Sequence, residues 1–183
     1  MSVQCLDMDE MVKVIEGDSA LILALADSLA HAAKDTFEMM MHIYIEECSP
    51  EKAHIDWRDA YYGVASFGGQ TEGQVFLRME TKIVLLMCPK RIGLPEEECD
   101  AENCVAVLDE VVNMVVGKFK ANVSGAGLPC MLSLPTVQKI DKDFRLPNAP
   151  FGRLQTFAFK RRRDFMLVDV YIRPAEMENE QDV

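Results

Sequence analysis

Between Pro95 and about Ala121 the chain repeats apolar residues at helical spacing, and this run limits the possible fold more than any other. At about 100° per residue, Ala101, Cys104, Leu108, Val111, Val112, Val115 and Phe119 fall on one stripe. A stripe of that width must be buried against another layer of structure. Pro95 suits a first turn, Glu96, Glu97, Glu98 and Asp100 suit the positive end of the helix dipole, and Lys118 and Lys120 suit the other end. Roughly opposite the stripe lie Asn103, Ala106, Glu110, Asn113 and Gly117. A solvated face ordinarily carries long charged side chains. Here Ala106 and Gly117 leave flat ground around one carboxylate and one amide, which at i and i+3 point the same way. Glycine inside a helix costs about 0.5–1 kcal/mol relative to alanine. Gly117 therefore fits either a closely packed neighbouring segment or the approach of another macromolecule.

A second amphipathic helix is expected from Asp18 or Ser19, either of which can cap it, to about His42. Leu21, Ile22, Leu25, Leu29, Ala33, Phe37, Met40 and Met41 form its inner stripe, with Asp27, Lys34, Asp35 and Glu38 outward. Tyr61 to Phe67 and Gly73 to Met79 read as a hairpin around Gly68, Gly69 and Gln70, and Lys82 to Arg91 as a short helix ended near Pro89. Cys130 to Leu134 reads as a short strand stopped by Pro135. Leu154 to Lys160 and Phe165 to Ile172 form a second hairpin, with Met166, Val168, Val170 and Ile172 on one face. Strands outnumber long helices and most are hairpin neighbours. The expected class is α+β, a mixed or antiparallel sheet with two long helices packed on one face. Residues 1–17 read as an N-terminal extension, 18–173 as one domain and 174–183 as an acidic tail.

Composition narrows the function. The 183 residues, 49% hydrophobic, suffice for one domain with a substantial core. A formal charge of −11 opposes phosphate backbones, and the one dense basic run, Lys160 to Arg163, is interrupted by Asp164, so nucleic acid is not expected as a partner. That run reads as a solvated hairpin turn, or secondarily as a patch steering an acidic partner. No apolar stretch approaches the roughly 18–20 residues of a membrane span, and Asp7, Asp9 and Glu10 near Met1 are unlike the basic start of a secretory signal. A cytoplasmic protein without membrane insertion is expected, its six cysteines reduced and mostly buried. The methionines, including Met39, Met40 and Met41, read as adaptable core packing, or secondarily as a sticky binding surface.

The stretch Asp109-Glu110-Val111-Val112-Asn113-Met114-Val115-Val116-Gly117, followed by Ser133-Leu134-Pro135-Thr136-Val137, resembles the CheX branch of the CheC/CheX/FliY chemotaxis phosphatases. The preceding order, a long helix, a glycine-containing hairpin and a short helix, is also similar to that family. The resemblance implies dephosphorylation of the aspartyl phosphate of a CheY-like response regulator in chemotaxis or a related two-component pathway. It makes Glu110 and Asn113 the catalytic pair. Asn113 would orient the attacking water, and Glu110 would pair with the regulator's active-site lysine. Ala106, Gly117 and Asn103 would border the contact. No cofactor of the chain's own is implied, because the regulator brings its own Mg²⁺. Four residues before the glutamate the family often has Asp or Ser, and Ala106 here removes any contact from that position. CheC-like members repeat the motif on the first long helix. The helix beginning near Asp18 lacks Glu-x-x-Asn, so one site per chain is expected. Members of the CheX branch are often dimers joined along their sheets, which adds a possible homodimer.

Competing chemistries find less support in the residues. His42, Cys48 and His54, with Glu46 and Glu47 between them, match no common zinc spacing, and no metal site is expected. A cysteine-nucleophile phosphatase needs a thiolate activated by a basic or amide-rich loop, and only Cys88-Pro89-Lys90-Arg91 approaches that. Ser133 and Pro135 read as strand-ending residues. The main rival is a non-catalytic adaptor that binds a response regulator or a flagellar-switch component through the same helix.

Overall fold

The computed structural model describes residues 19–69, 71–125, 127, 129–140 and 153–174. The expected extension 1–17, and the acidic tail after Pro174, lie outside the described residues. Helix α1 (Ser19–Asp35) leads through a π-helical turn, Thr36–Met40, to the short strand β1 (Glu46–Cys48). Strands β2 (Ala60–Gly69) and β3 (Thr71–Glu80) form the first hairpin, and α2 (Thr81–Arg91) follows directly. The long helix α3 (Ala101–Gly125) precedes β4 (Cys130–Leu132) and β5 (Thr136–Lys139), and the hairpin of β6 (Arg153–Arg161) and β7 (Asp164–Pro174) completes the fold. The strands form one sheet in the order β1-β6-β7-β3-β2-β4, with β5 also on β2. Every pairing is antiparallel.

Period-two alternation sorts the two sheet faces. Val75, Leu77 and Met79 of β3 and Met166, Val168, Val170 and Ile172 of β7 are buried with the inner stripes of α1 and α3. The layer holds three helices where two long ones are expected. The short α2 joins it by burying Ile83, Val84, Met87 and Cys88. On the reverse face Ala60, Tyr62, Ala158 and Leu167 pack with Ile55 and Ile140. There too the buried Asp169 carboxylate takes Arg78 at 2.6 Å and the Thr156 hydroxyl at 2.8 Å. Among the described residues no helix is long and apolar enough to cross a membrane.

Local chemistry moves several boundaries away from the sequence expectation. Pro95 opens only a single 3-10 turn, Glu96–Glu98, because the cap of α3 lies further on. Asp100 Oδ1 accepts from the Asn103 amide at 2.8 Å, and Asn103 Oδ1 accepts from the Asp100 amide at 3.2 Å. This reciprocal arrangement satisfies two amides at the helix entrance, as a capping box does. Ala101, expected on the buried stripe, sits exposed in the first turn, and the stripe gains Val107, Val116 and Val123. Helix α2 continues past Pro89 to Arg91, closed by the Ile92 amide on the Cys88 carbonyl. At the end of α1 the Thr36 hydroxyl donates to the Ala32 carbonyl at 2.7 Å, and the widened π turn that follows changes the helical register. Phe37 and Met41 are buried as expected, whereas Met40 turns out to solvent.

The edge beyond β2 is split in two. β4 covers Phe67 to Gly69 and β5 covers Tyr61 to Val64. Ser133 bridges the gap, donating its amide to Ser66 O and accepting the Ser66 amide on its hydroxyl, both at 2.9 Å. Leu134 is left 87% exposed at the break. β5 and the three-residue β1 are the strands not anticipated from the sequence.

Candidate functional site

Helix α3 sits on the sheet through a notch in β2. A Cβ on Gly63 would lie 2.5 Å from Val112 Cγ2 and 3.1 Å from Val137 Cγ2, so only glycine lets the helix settle at this depth. Val111, Val112, Val115 and Val116 are buried there, which turns the intervening Asn113 and the preceding Glu110 away from the core. Asn113 and Ala106 are exposed, and Glu110 and Gly117 are partly exposed. Among the described residues no heavy atom outside the helix lies within 4 Å of the position a Gly117 Cβ would take. The glycine therefore accommodates no packed neighbour, and the ridge stays low around the Asn113 amide.

Both flanks of the ridge are defined. On one, Arg91 at the end of α2 forms an ion pair through Nη2 with Glu110 Oε1. Further along, Lys118 pairs with Asp35 of α1 at 2.6 Å, and Asn122 Nδ2 donates to Ser28 Oγ at 3.3 Å. These contacts tie α3 to its helical neighbours on the side away from the sheet edge. On the other flank a groove of about 550 Å³ is lined by Ala101, Glu102, Val105, Ala106 and Asp109 of α3 and Val137 of β5. Its floor is aliphatic and its charged groups are acidic. Among the described residues the Asn113 side chain has no hydrogen-bond partner in the fold, so both its donor and its acceptor remain free for an incoming group.

The expected site residues therefore share one helix face but differ in surroundings. Asn113 stands free, Ala106 borders the acidic groove, Glu110 is engaged by Arg91, and Asn103 is held in the Asp100 cap at the helix entrance. Sequence reading missed Arg91. It is legible there only as a cation suited to the last turn of α2, and its meeting with Glu110 depends on how two helices pack. Asp109 and Glu102 as groove walls were missed for the same reason.

A convex ridge encloses no small substrate. A thiol nucleophile is a poor alternative. Cys88 is fully buried, and burial pushes its thiol well above the ordinary cysteine range, with Cys99 and Cys104 adding to the rise. Among the described residues no three His, Cys, Asp or Glu side chains converge as a metal site would require.

Known proteins match this chain in one family model and in fold. The family model described as the chemotaxis phosphatase CheX matches residues 61–145, a segment that contains the β2–β3 hairpin, α3 and the Ser133 bridge. No curated protein matches the chain in sequence. Among solved structures, the chemotaxis protein CheX from Vibrio vulnificus superposes with a TM-score of 0.69 at 15% identity, covering 81% of this chain and 95% of that one. A chemotactic CheC-like protein from Shewanella oneidensis gives 0.69 at 17% identity, covering 82% and 99%. The CheX of a CheX–CheY–BeF3–Mg²⁺ complex from Borrelia burgdorferi gives 0.63 at 17% identity, covering 81% and 97%. At these identities the structural likeness is one of fold.

Proposed function

We propose that this chain, which matches the chemotaxis phosphatase CheX family model over residues 61–145 and shares the CheX fold, hydrolyses the aspartyl phosphate of a CheY-like response regulator in the cytoplasm. The observation that carries the reading is the Asn113 carboxamide, exposed and without a hydrogen-bond partner among the described residues, on a ridge cleared by Ala106 and Gly117. An acyl phosphate is already activated, and the regulator supplies its own Mg²⁺. The contribution still missing is a water held in line with phosphorus. Asn113 enters the regulator's active site and orients that water with its amide. The water oxygen bonds to phosphorus, the bond from phosphorus to the acyl oxygen breaks, and the aspartate carboxylate leaves with the electron pair. The proton lost by the water passes to solvent or phosphate. Neither half of the carboxamide has to ionise, so no shifted pKa is required.

Glu110 docks the regulator's active-site lysine one helical turn away, which fixes the helix over the phosphoryl group. Ala106 and Gly117 give the regulator's loops room to approach. Asn103, bound into its cap, marks the edge of the contact. The complex of a CheX with CheY and BeF3 from Borrelia burgdorferi supports the choice of partner.

The test is phosphate release from a phosphorylated regulator of the same organism with wild type, Asn113→Ala and Glu110→Ala. Hydrolysis by wild type that is lost in Asn113→Ala while binding persists is the expected result. Binding without any acceleration by wild type would make the chain an adaptor.

A further inference from the structure

We infer that Arg91 is a positioning residue for Glu110: it holds one carboxylate oxygen so that the other is presented to the lysine of the incoming regulator. The inference rests on the reading of Glu110 given above. Helix α3 supplies no cation of its own at the positions that could reach Glu110. Ala106, Val107, Asn113 and Met114 occupy i−4, i−3, i+3 and i+4. The side chain of a surface glutamate without a partner samples several rotamers, and ordering it opposes association. Arg91 removes that freedom from a different helix. It stands in the last turn of α2, where the negative end of the helix dipole favours a cation.

Arg91 Nη2 meets Oε1, and no other described cation forms an ion pair with the carboxylate. A carboxylate has about four acceptor sites on two oxygens, so a lysine can be added without expelling the guanidinium. Arg91 is the more enclosed partner, its side chain 26% exposed against 45% for Glu110. Its Nε is buried and has no hydrogen-bond partner among the described residues. The anchor thus belongs to the packed interface between α2 and α3, while the anchored group reaches the ridge.

The experiment compares wild type, Arg91→Gln, Arg91→Lys, Glu110→Gln and the double variant Arg91→Gln/Glu110→Gln. It follows phosphate release from the phosphorylated regulator, with thermal melts confirming that each variant folds. A partly exposed ion pair implies that Arg91→Gln raises KM about three- to fivefold and leaves kcat unchanged, since Asn113 is untouched. Arg91→Lys should recover most of the loss. In the Glu110→Gln background the further change Arg91→Gln should have almost no effect, because there is no carboxylate left to orient. A merely structural role would lower the melting temperature and reduce both backgrounds equally. An unchanged KM in Arg91→Gln, a lowered KM that marks Arg91 as a competitor of the lysine, or an equal effect in both backgrounds would each overturn the inference while wild-type hydrolysis kept the functional reading intact. If Arg91→Gln does not fold, Arg91→Met carries the same comparison, with Arg91→Lys again as the rescue. Absence of hydrolysis by wild type would overturn both.

Discussion

Val112 fills the space that Gly63 leaves empty, with the Val112 Cγ2 methyl 2.5 Å from where a Cβ on residue 63 would stand. Val112 is held stiffly at χ1 by its β-branch within a helix, so it cannot swing aside, and the helix itself would have to lift. Gly63→Ala should destabilise the fold by about 1–3 kcal/mol, as overpacked cores do. It should also lower kcat/KM on phosphorylated regulator, because Asn113 is the next residue along. Chemical denaturation and the phosphatase assay test the two effects. Adding Val112→Ala to Gly63→Ala should recover part of the stability.

The parts of this arrangement set by local periodicity were legible in the sequence. The stripe of α3, the alternation Met166, Val168, Val170, Ile172 and both hairpins follow from side chains a few residues apart, and the outward Glu110 and Asn113 follow from the same helical geometry. Features made by contacts distant in sequence were hidden. Ser133 reads as the end of a strand, and only its two bonds with Ser66, 67 residues earlier, reveal that it joins β4 to β5. The cap at Asp100 was obscured by Pro95, an equally good starting residue six positions before Ala101, where α3 begins. The role of Gly117 was undecidable from the sequence, since close packing and open clearance both favour glycine. Coordinates are needed to find no atom near it.

Cys88 serves to separate mechanisms. Buried in the core with its thiol pushed up by desolvation, it carries almost no thiolate at neutral pH and is closed to solvent. Cys88→Ala should leave kcat on phosphorylated regulator within about twofold of wild type, because the cysteine takes no part in a water-orienting mechanism. Its cost should appear in stability, about 1 kcal/mol for the lost packing. Parallel kinetics and thermal melts distinguish the two. Loss of turnover in a folded variant would restore the cysteine-nucleophile reading.

Asp169 gives the sheet a specific pH signature. Burial raises its carboxyl above the ordinary carboxylate value, against the opposing pull of Arg78 and Thr156. Within the window between the ordinary and the raised value, the folded chain binds more protons than the unfolded chain, so this group adds stability as pH falls. Asp169→Asn removes that contribution. Other carboxylates make both proteins less stable in acid, but the gap between wild type and Asp169→Asn should widen in favour of wild type as pH falls from neutrality toward the ordinary carboxylate value. Urea midpoints across that range measure it. A constant gap would mean that Asp169 titrates alike in both states.

Gly117 offers the sharpest separation of stability from function. Within α3 it carries the entropic cost of a helical glycine, and an added methyl group meets nothing in the fold. Gly117→Ala should therefore stabilise the protein by about 0.5–1 kcal/mol. The same methyl group would stand one turn beyond Asn113, on ground the regulator must approach. In the complex it obstructs, so KM for phosphorylated regulator should rise about three- to tenfold, as expected for a small steric intrusion at an interface core. A larger residue, as in Gly117→Leu, should abolish binding while the fold remains intact. If Gly117→Ala stabilises the protein and leaves KM unchanged, the regulator does not approach that turn of the helix, and the contact must be confined to the Ala106 end of the ridge.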